Sequence, residues 1–296
     1  MALLERAIAS PRFQERCFFL AKRFVAGETT GHAIDAVRRL NADGLSATLD
    51  FLGEDVSDAT EARASAHQTL RTIEEIDNAG VDANISVKLT ALGLTIDEDL
   101  AADHLMQIAE RALHNHDPFV RVDMEGSDVV DATLRVVERI YSGHDNVGVV
   151  LQAYLHRTER DLERAIALRQ RVRVVKGAYN EPAAIAYKNM AEIRRRYLEL
   201  TRRLLTDGHY PAIATHDVSL IERVMHMAEE LGVTKDRFEF QMLYGIRTDT
   251  QRRLAVNGYR VRVYVPFGSH WAGYFYRRLA ERKENVLFVL QSLFTK

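Results

Sequence analysis

The sequence has 296 residues, 47% of them hydrophobic, with a formal net charge of −2 and a pI near 6.6. That is enough apolar chain for one large core, and the near-neutral balance argues against nucleic acid as the main partner. Cys17 is the single cysteine, which excludes a disulfide framework or a thiolate metal cage and fits a reducing compartment. The opening residues Met1-Ala2-Leu3-Leu4-Glu5-Arg6 lack the apolar core of a secretory signal. No uninterrupted apolar run reaches the roughly 18 residues of a membrane span. A cytoplasmic location is expected, with peripheral contact at the inner face of the cell membrane left open.

Residues 1–44 read as an N-terminal helical section. From 45 onward, short β-branched runs alternate with longer charged segments of helical period. Strands are expected at 45–51, 83–89, 119–124, 147–153, 172–176, 212–215, 238–243 and 261–265. Helices are expected between them at 58–78, 97–114, 129–141, 160–170, 182–205, 220–231 and 248–256. Eight strands alternating with helices predict an α/β fold, a (β/α)8 barrel within a single domain over 1–296, its barrel and C-terminal helices filling 45–296. An open doubly wound sheet is the alternative. It usually carries a glycine-rich phosphate fingerprint after its first strand, and Gly53-Glu54-Asp55 stands there instead.

In a barrel, functional side chains gather at the C-terminal ends of the strands. The unusual polar residues fall there: Lys88 in the second strand, Asp123 and Glu125 after the third, Gln152 and Tyr154 after the fourth. Lys176 and Tyr179 follow the fifth, Thr215, His216 and Asp217 the sixth, while Gln241 lies in the seventh and Tyr264 in the eighth. One such residue alone reads as a satisfied core polar group; recurrence in strand after strand points to a shared ligand. After the eighth strand and the Pro266-Phe267-Gly268 turn, Tyr274, Arg277, Arg278 and Glu281 share one helix face. Two guanidiniums there can clamp a carboxylate, or the face is simply solvated. Lys88, Arg173, Lys176, Arg277 and Arg278 set against Asp123, Glu54 and Glu281 suit an anionic ligand. His114 and His116 read as surface residues and His67 and His104 as surface or packing residues; no set has zinc spacing. A Ser or Cys nucleophile is poorly supported. Lys88 or Lys176 could instead form a Schiff base, as in a lysine-dependent aldolase.

These segments converge on a known family. Ile85-Ser86-Val87-Lys88-Leu89-Thr90-Ala91-Leu92, Arg121-Val122-Asp123-Met124-Glu125 and Leu151-Gln152-Ala153-Tyr154-Leu155 resemble proline dehydrogenase. So do Val172 to Tyr179, Ala214-Thr215-His216-Asp217, Phe238 to Gly245, and the closing Tyr264-Val265-Pro266-Phe267-Gly268 with Trp271, Tyr274, Arg277, Arg278, Leu279 and Glu281. The resemblance implies a distorted barrel holding FAD, with its eighth helix displaced over the mouth. It implies oxidation of L-proline to Δ1-pyrroline-5-carboxylate by hydride transfer from C5 to flavin N5, with electrons passed to a quinone. Metal is not implied.

By motif position, the resemblance assigns Arg277, Arg278 and Lys88 to the proline carboxylate, Tyr264, Tyr274 and Leu243 to the ring, and Asp123 to orienting the clamp and Tyr264. Arg173 would lie near flavin N5 and Gln152 at the isoalloxazine edge. Val175, Lys176, Gly177 and Ala178 would line the cofactor, Thr215 and His216 its pyrophosphate or adenosine part, and Glu281 its ribose. Glu54 could latch onto Arg277 when the site closes. The chain has no aldehyde dehydrogenase module and no DNA-binding segment, so a monofunctional enzyme is expected. A separate pyrroline-5-carboxylate dehydrogenase would then complete the path to glutamate. Asn180 stands where the bifunctional members carry Trp, which puts flavin contacts near that residue in doubt. A flavin barrel for another small amino or imino acid, an aldolase and a non-catalytic scaffold are the weaker readings.

Overall fold

The computed structural model describes residues 21–53 and 56–274. Eight strands, β1 (Ser46–Phe51), β2 (Ala83–Val87), β3 (Val120–Val122), β4 (Val147–Gln152), β5 (Val172–Val175), β6 (Ala212–Ala214), β7 (Glu239–Leu243) and β8 (Arg260–Phe267), follow one another around a closed barrel. Every pairing is parallel, and β1 closes the ring on β8 in the register Ser46↔Arg262 through Phe51↔Phe267. The open-sheet alternative is thereby excluded.

Helix α1 (Thr30–Ala42) precedes β1. The other helices fill the crossovers in turn: α2 (Ala59–Ala79), α3 (Glu98–Ala112), α4 (Val130–Tyr141), α5 (Thr158–Ala167), α6 (Met190–Asp207), α7 (Val218–Glu230) and α8 (Thr248–Val256). Asp58 caps α2 by accepting from the amides of Thr60 and Glu61, and Asp97 caps α3 in the same way. Each cap satisfies amides that have no partner within the helix. The helix expected from 182 starts only at Met190, where Asn189 caps it. Residues 182–189 are spent on the loop that carries the Leu155↔Ala186 bridge and the Tyr187 amide to Tyr154 carbonyl bond of 2.8 Å. The helix expected over 160–170 ends at Ala167, because Arg169 turns into the left-handed region at φ +57°.

The core lies outside the barrel. Leu49, Ile85, Val122, Val149, Val174, Phe240 and Val263 point outward and pack with Ile73, Ile108, Val137, Leu204 and Val224 of the helices. Strand side chains alternate faces, so the intervening residues point inward, and these are polar: Thr48, Asp50, Asn84, Ser86, Arg121, Arg173, Glu239, Gln241 and Arg262 are all buried. Bonds between strands that are not neighbours confirm that they cross the lumen. Tyr264 of β8 reaches Asp123 beyond β3, and Arg173 of β5 reaches both Asp123 and Gln241 of β7. Barrel interiors are commonly packed with branched aliphatic residues. Here the lumen is a polar network, and each of its buried charges needs a partner to persist.

Candidate active site

The strand ends bring Lys88, Asp123, Tyr264 and Arg173 into one cluster. Asp123, just past β3, accepts from Ser86 Oγ at 2.8 Å and Arg173 Nη1 at 2.6 Å on one oxygen, and from Tyr264 Oη at 2.6 Å on the other. Lys88 Nζ lies 3.7 Å from Asp123, 3.0 Å from Asp50 and 3.5 Å from the Tyr264 hydroxyl. The Arg173 guanidinium also stands 5.3 Å from the centre of the Tyr264 ring, within cation–π range. Each strand end thus holds its neighbour's side chain in a fixed rotamer, which is the preorganisation a binding site needs.

The electrostatics follow from this packing. Burial opposes ionisation of Asp123, but Arg173, then Lys88, then hydrogen bonds from Tyr264 and Ser86 more than offset it and hold the carboxyl below its ordinary range. Burial, followed by the Asp123 and Asp50 charges, pushes the Tyr264 phenol well above its usual value. Tyr264 therefore stays a protonated donor and Asp123 an anionic acceptor. Two carboxylates fix the Lys88 ammonium, an arrangement suited to a stationary cation rather than to the desolvated amine that a Schiff base requires.

The next strand ends carry a second set of groups. Gln152 is buried and donates through Nε2 to the Glu125 carbonyl at 2.9 Å. Val175, Lys176 and Gly177 are half-buried and Ala178 is exposed, with Lys176 Nζ 3.8 Å from Asp217. Gly177 has φ +112°, and a Cβ there would stand 2.2 Å from the Tyr154 ring, so its missing side chain is demanded by Tyr154. Thr215 is buried and its hydroxyl accepts from the Asp217 amide at 3.1 Å. His216 Nε2 accepts the Leu243 amide at 2.8 Å, which ties half-buried Leu243 to the β6 end and makes Nε2 the unprotonated nitrogen. Tyr274 and Trp271 are buried at the start of the segment after β8. Arg277, Arg278, Glu281 and Glu54, and with them the helix expected over the mouth, lie outside the described residues.

The loops that carry these groups are laced together by carboxylates. Glu125 accepts from the Thr90 amide and hydroxyl at 3.2 and 2.5 Å, and Glu181 from the Ser127 amide and hydroxyl at 2.7 and 2.5 Å. Glu125, read from sequence as part of the polar mouth, is thus a tether between the β2 and β3 loops. His114 and His116 are exposed, whereas His104 is buried and bonded to the Leu92 carbonyl. Among the described residues no cluster could hold a metal ion. Sequence reading missed Asp50, although it carries the same signal as Lys88: a charge near the C-terminal end of an apolar strand.

Do these residues fit a flavin dinucleotide? Arg173 is 5% exposed, yet its Nη2 has no hydrogen-bond partner while Nε and Nη1 are both occupied. A buried donor left open toward the mouth calls for a ligand acceptor. The Lys176 ammonium and the Thr215 hydroxyl at adjacent strand ends are the donor types that bind a pyrophosphate. The donor set fits.

Comparison with known proteins agrees. The family profile described as Proline dehydrogenase matches residues 33–291. The chain is 40% identical over 276 residues to Proline dehydrogenase 2 of Bacillus subtilis, covering 93% of this chain and 91% of that one. It is 39% identical over 298 residues to Proline dehydrogenase of Deinococcus radiodurans, covering 99% and 96%. Among solved structures, proline utilization A (PutA) from Bdellovibrio bacteriovorus, inactivated by N-propargylglycine, matches with a TM-score of 0.82 at 26% identity. That match covers 88% of this chain but 32% of the other, so the chain spans about a third of that protein. Matched across most of its length by the family profile and by relatives of similar size, the chain belongs to the proline dehydrogenase family.

Proposed function

We propose that this chain oxidises L-proline to Δ1-pyrroline-5-carboxylate with FAD as its cofactor and a quinone as the electron acceptor, as the first step of proline catabolism. The observation that carries the reading is the Lys88–Asp123–Tyr264–Arg173 cluster: a fixed cation, a fixed phenol and an open guanidinium donor around one cavity mouth. Lys88, with Arg277 and Arg278, would take the carboxylate of proline. Tyr264, held by Asp123, and Tyr274 would cover the apolar ring with Leu243 and keep water from the C5–N bond. Asp123 remains ionised through the cycle and holds three donors at once. Gln152, Arg173, Val175, Lys176, Gly177, Ala178, Thr215, His216 and Glu281 would hold FAD. When bound, it supplies acceptance of the hydride that leaves C5 as the ring becomes an imine.

The product still carries its carboxylate, so a separate dehydrogenase acting on pyrroline-5-carboxylate would finish the conversion to glutamate. Among the described residues no helix is long and apolar enough to cross a membrane; delivery of electrons to a membrane quinone would then need contact at the surface.

The direct test is product formation. Purified protein given L-proline and an artificial electron acceptor should yield the cyclic imine, trapped as its coloured o-aminobenzaldehyde adduct, and should release FAD on denaturation. FAD released without imine from proline would move the substrate to another small imino or amino acid.

A further inference from the structure

Beneath the mouth, a line of side chains runs from the floor of the barrel to Arg173. Arg262 Nε donates to both carboxylate oxygens of Glu239, each at 3.1 Å. Gln241 Nε2 donates to Glu239 Oε1, and Gln241 Oε1 accepts from Arg173 Nε. Arg173 Nη1 then reaches Asp123 at 2.6 Å. Glu239, Gln241, Arg173 and Arg262 are 2, 4, 5 and 6% exposed, so no water can substitute for a lost member without cost.

An amide can turn over without changing shape. Gln241 cannot, because its neighbours allow only one sense: a carboxylate only accepts and a guanidinium only donates. Glu239 therefore sets the direction of the Gln241 amide, and the amide sets the plane of the Arg173 guanidinium. Glu239 holds its charge against burial through Arg262 first and Arg171 next. With Nε and Nη1 both fixed, Nη2 is left as the open donor at the mouth.

We infer that Glu239 and Gln241 are positioning residues whose hydrogen-bond polarity presents Arg173 Nη2 to the bound cofactor. The link to the cofactor rests on the proposed function; the orientation of Arg173 does not.

Glu239→Gln tests it. The new amide must turn its oxygen to Arg262 and its NH2 to Gln241. Gln241 must then face Arg173 with its own NH2, donor against donor. Pairing it with Gln241→Glu restores the original sequence of donors and acceptors with the same atoms and the same net charge. Two readouts are taken on the purified protein. One is solvent exchange of the Arg173 Nε–H by 15N NMR, assigned by its loss in Arg173→Lys. The other is the midpoint potential of the bound flavin.

Glu239→Gln should speed that exchange at least tenfold and lower the potential by a tenfold change in the reduction equilibrium, about 30 mV for a two-electron couple. The exchanged pair should bring both back toward wild type. Unchanged Nε–H protection in Glu239→Gln overturns the inference. So does a raised potential, the sign expected from deleting a buried negative charge and nothing more. If Glu239→Gln does not fold, the exchanged pair decides: Nε–H protection as in wild type supports the inference and an exposed Nε–H overturns it. A colourless protein counts against the proposed function, and the Nε–H exchange still decides the positioning claim.

Discussion

Replacing Asp123 by Asn changes the cluster by one charge and almost no volume. One carboxylate oxygen accepts from Ser86 and Arg173; the other accepts from Tyr264 and faces Lys88. An amide supplies one acceptor and one donor pair. Keeping its oxygen on Arg173 turns NH2 toward Tyr264 and Lys88, and turning it over sets NH2 against Arg173. Either way a buried cation loses half of its pairing. Breaking a buried pair by removing one partner costs about 3–5 kcal/mol. At about 2 °C per kcal/mol for a domain of this size, Asp123→Asn should melt roughly 6–10 °C below wild type near neutral pH.

The pH dependence gives an independent check. Asp123 sits below its ordinary value of 3.8 in the folded chain. Its contribution is therefore complete above that value and is lost as the pH falls through the lower folded value. The gap between wild type and variant should narrow as the pH drops below about 4, because the unfolded chain takes up the proton before the folded one. Thermal melts at a series of pH values measure both effects. Equal melting temperatures near neutral pH, or a gap that stays constant into acid, would refute the pairing argument.

Other variants address single parts of the site. Lys88→Met should weaken proline binding about ten- to a hundredfold, the loss of one charge-assisted contact, read by titrating the protein with proline. Tyr264→Phe removes a bond to a charged acceptor and should cost about 1.5–3 kcal/mol of stability in denaturant melts. Because the Tyr264 phenol is pushed far up, the same variant should leave the alkaline limb of the rate–pH profile where it is in wild type; a shifted limb would contradict that. Gly177→Ala should fail to accumulate as folded protein, since φ +112° and the Tyr154 ring leave no room for a methyl group; wild-type yield and melting temperature would count against it.

Much of the barrel was legible because its outward faces obey alternation. Val147, Val149 and Leu151 mark a strand regardless of what lies inside. The inward polar residues were legible only where they ended a strand, as Lys88, Asp123 and Tyr264 do. Asp50, Glu239 and Arg262 have partners on other strands, and a pairing such as Arg262 with Glu239 exists only once the barrel has closed. The start of α6 was misplaced for a related reason. Residues 182–189 have helical composition, but Ala186 and Tyr187 are drawn to the β4 loop by backbone bonds that local pattern cannot reveal. Gly177 was read as clearance for a cofactor, whereas the nearest demand is the Tyr154 ring.

The central claim is that the polar mouth binds a flavin and proline together. Its most direct test is the visible spectrum of the purified protein under anaerobic conditions, before and after L-proline is added. The account predicts a flavin spectrum that bleaches on addition of proline. A colourless protein that FAD does not reconstitute, or a flavin that stays oxidised in excess proline, would contradict it.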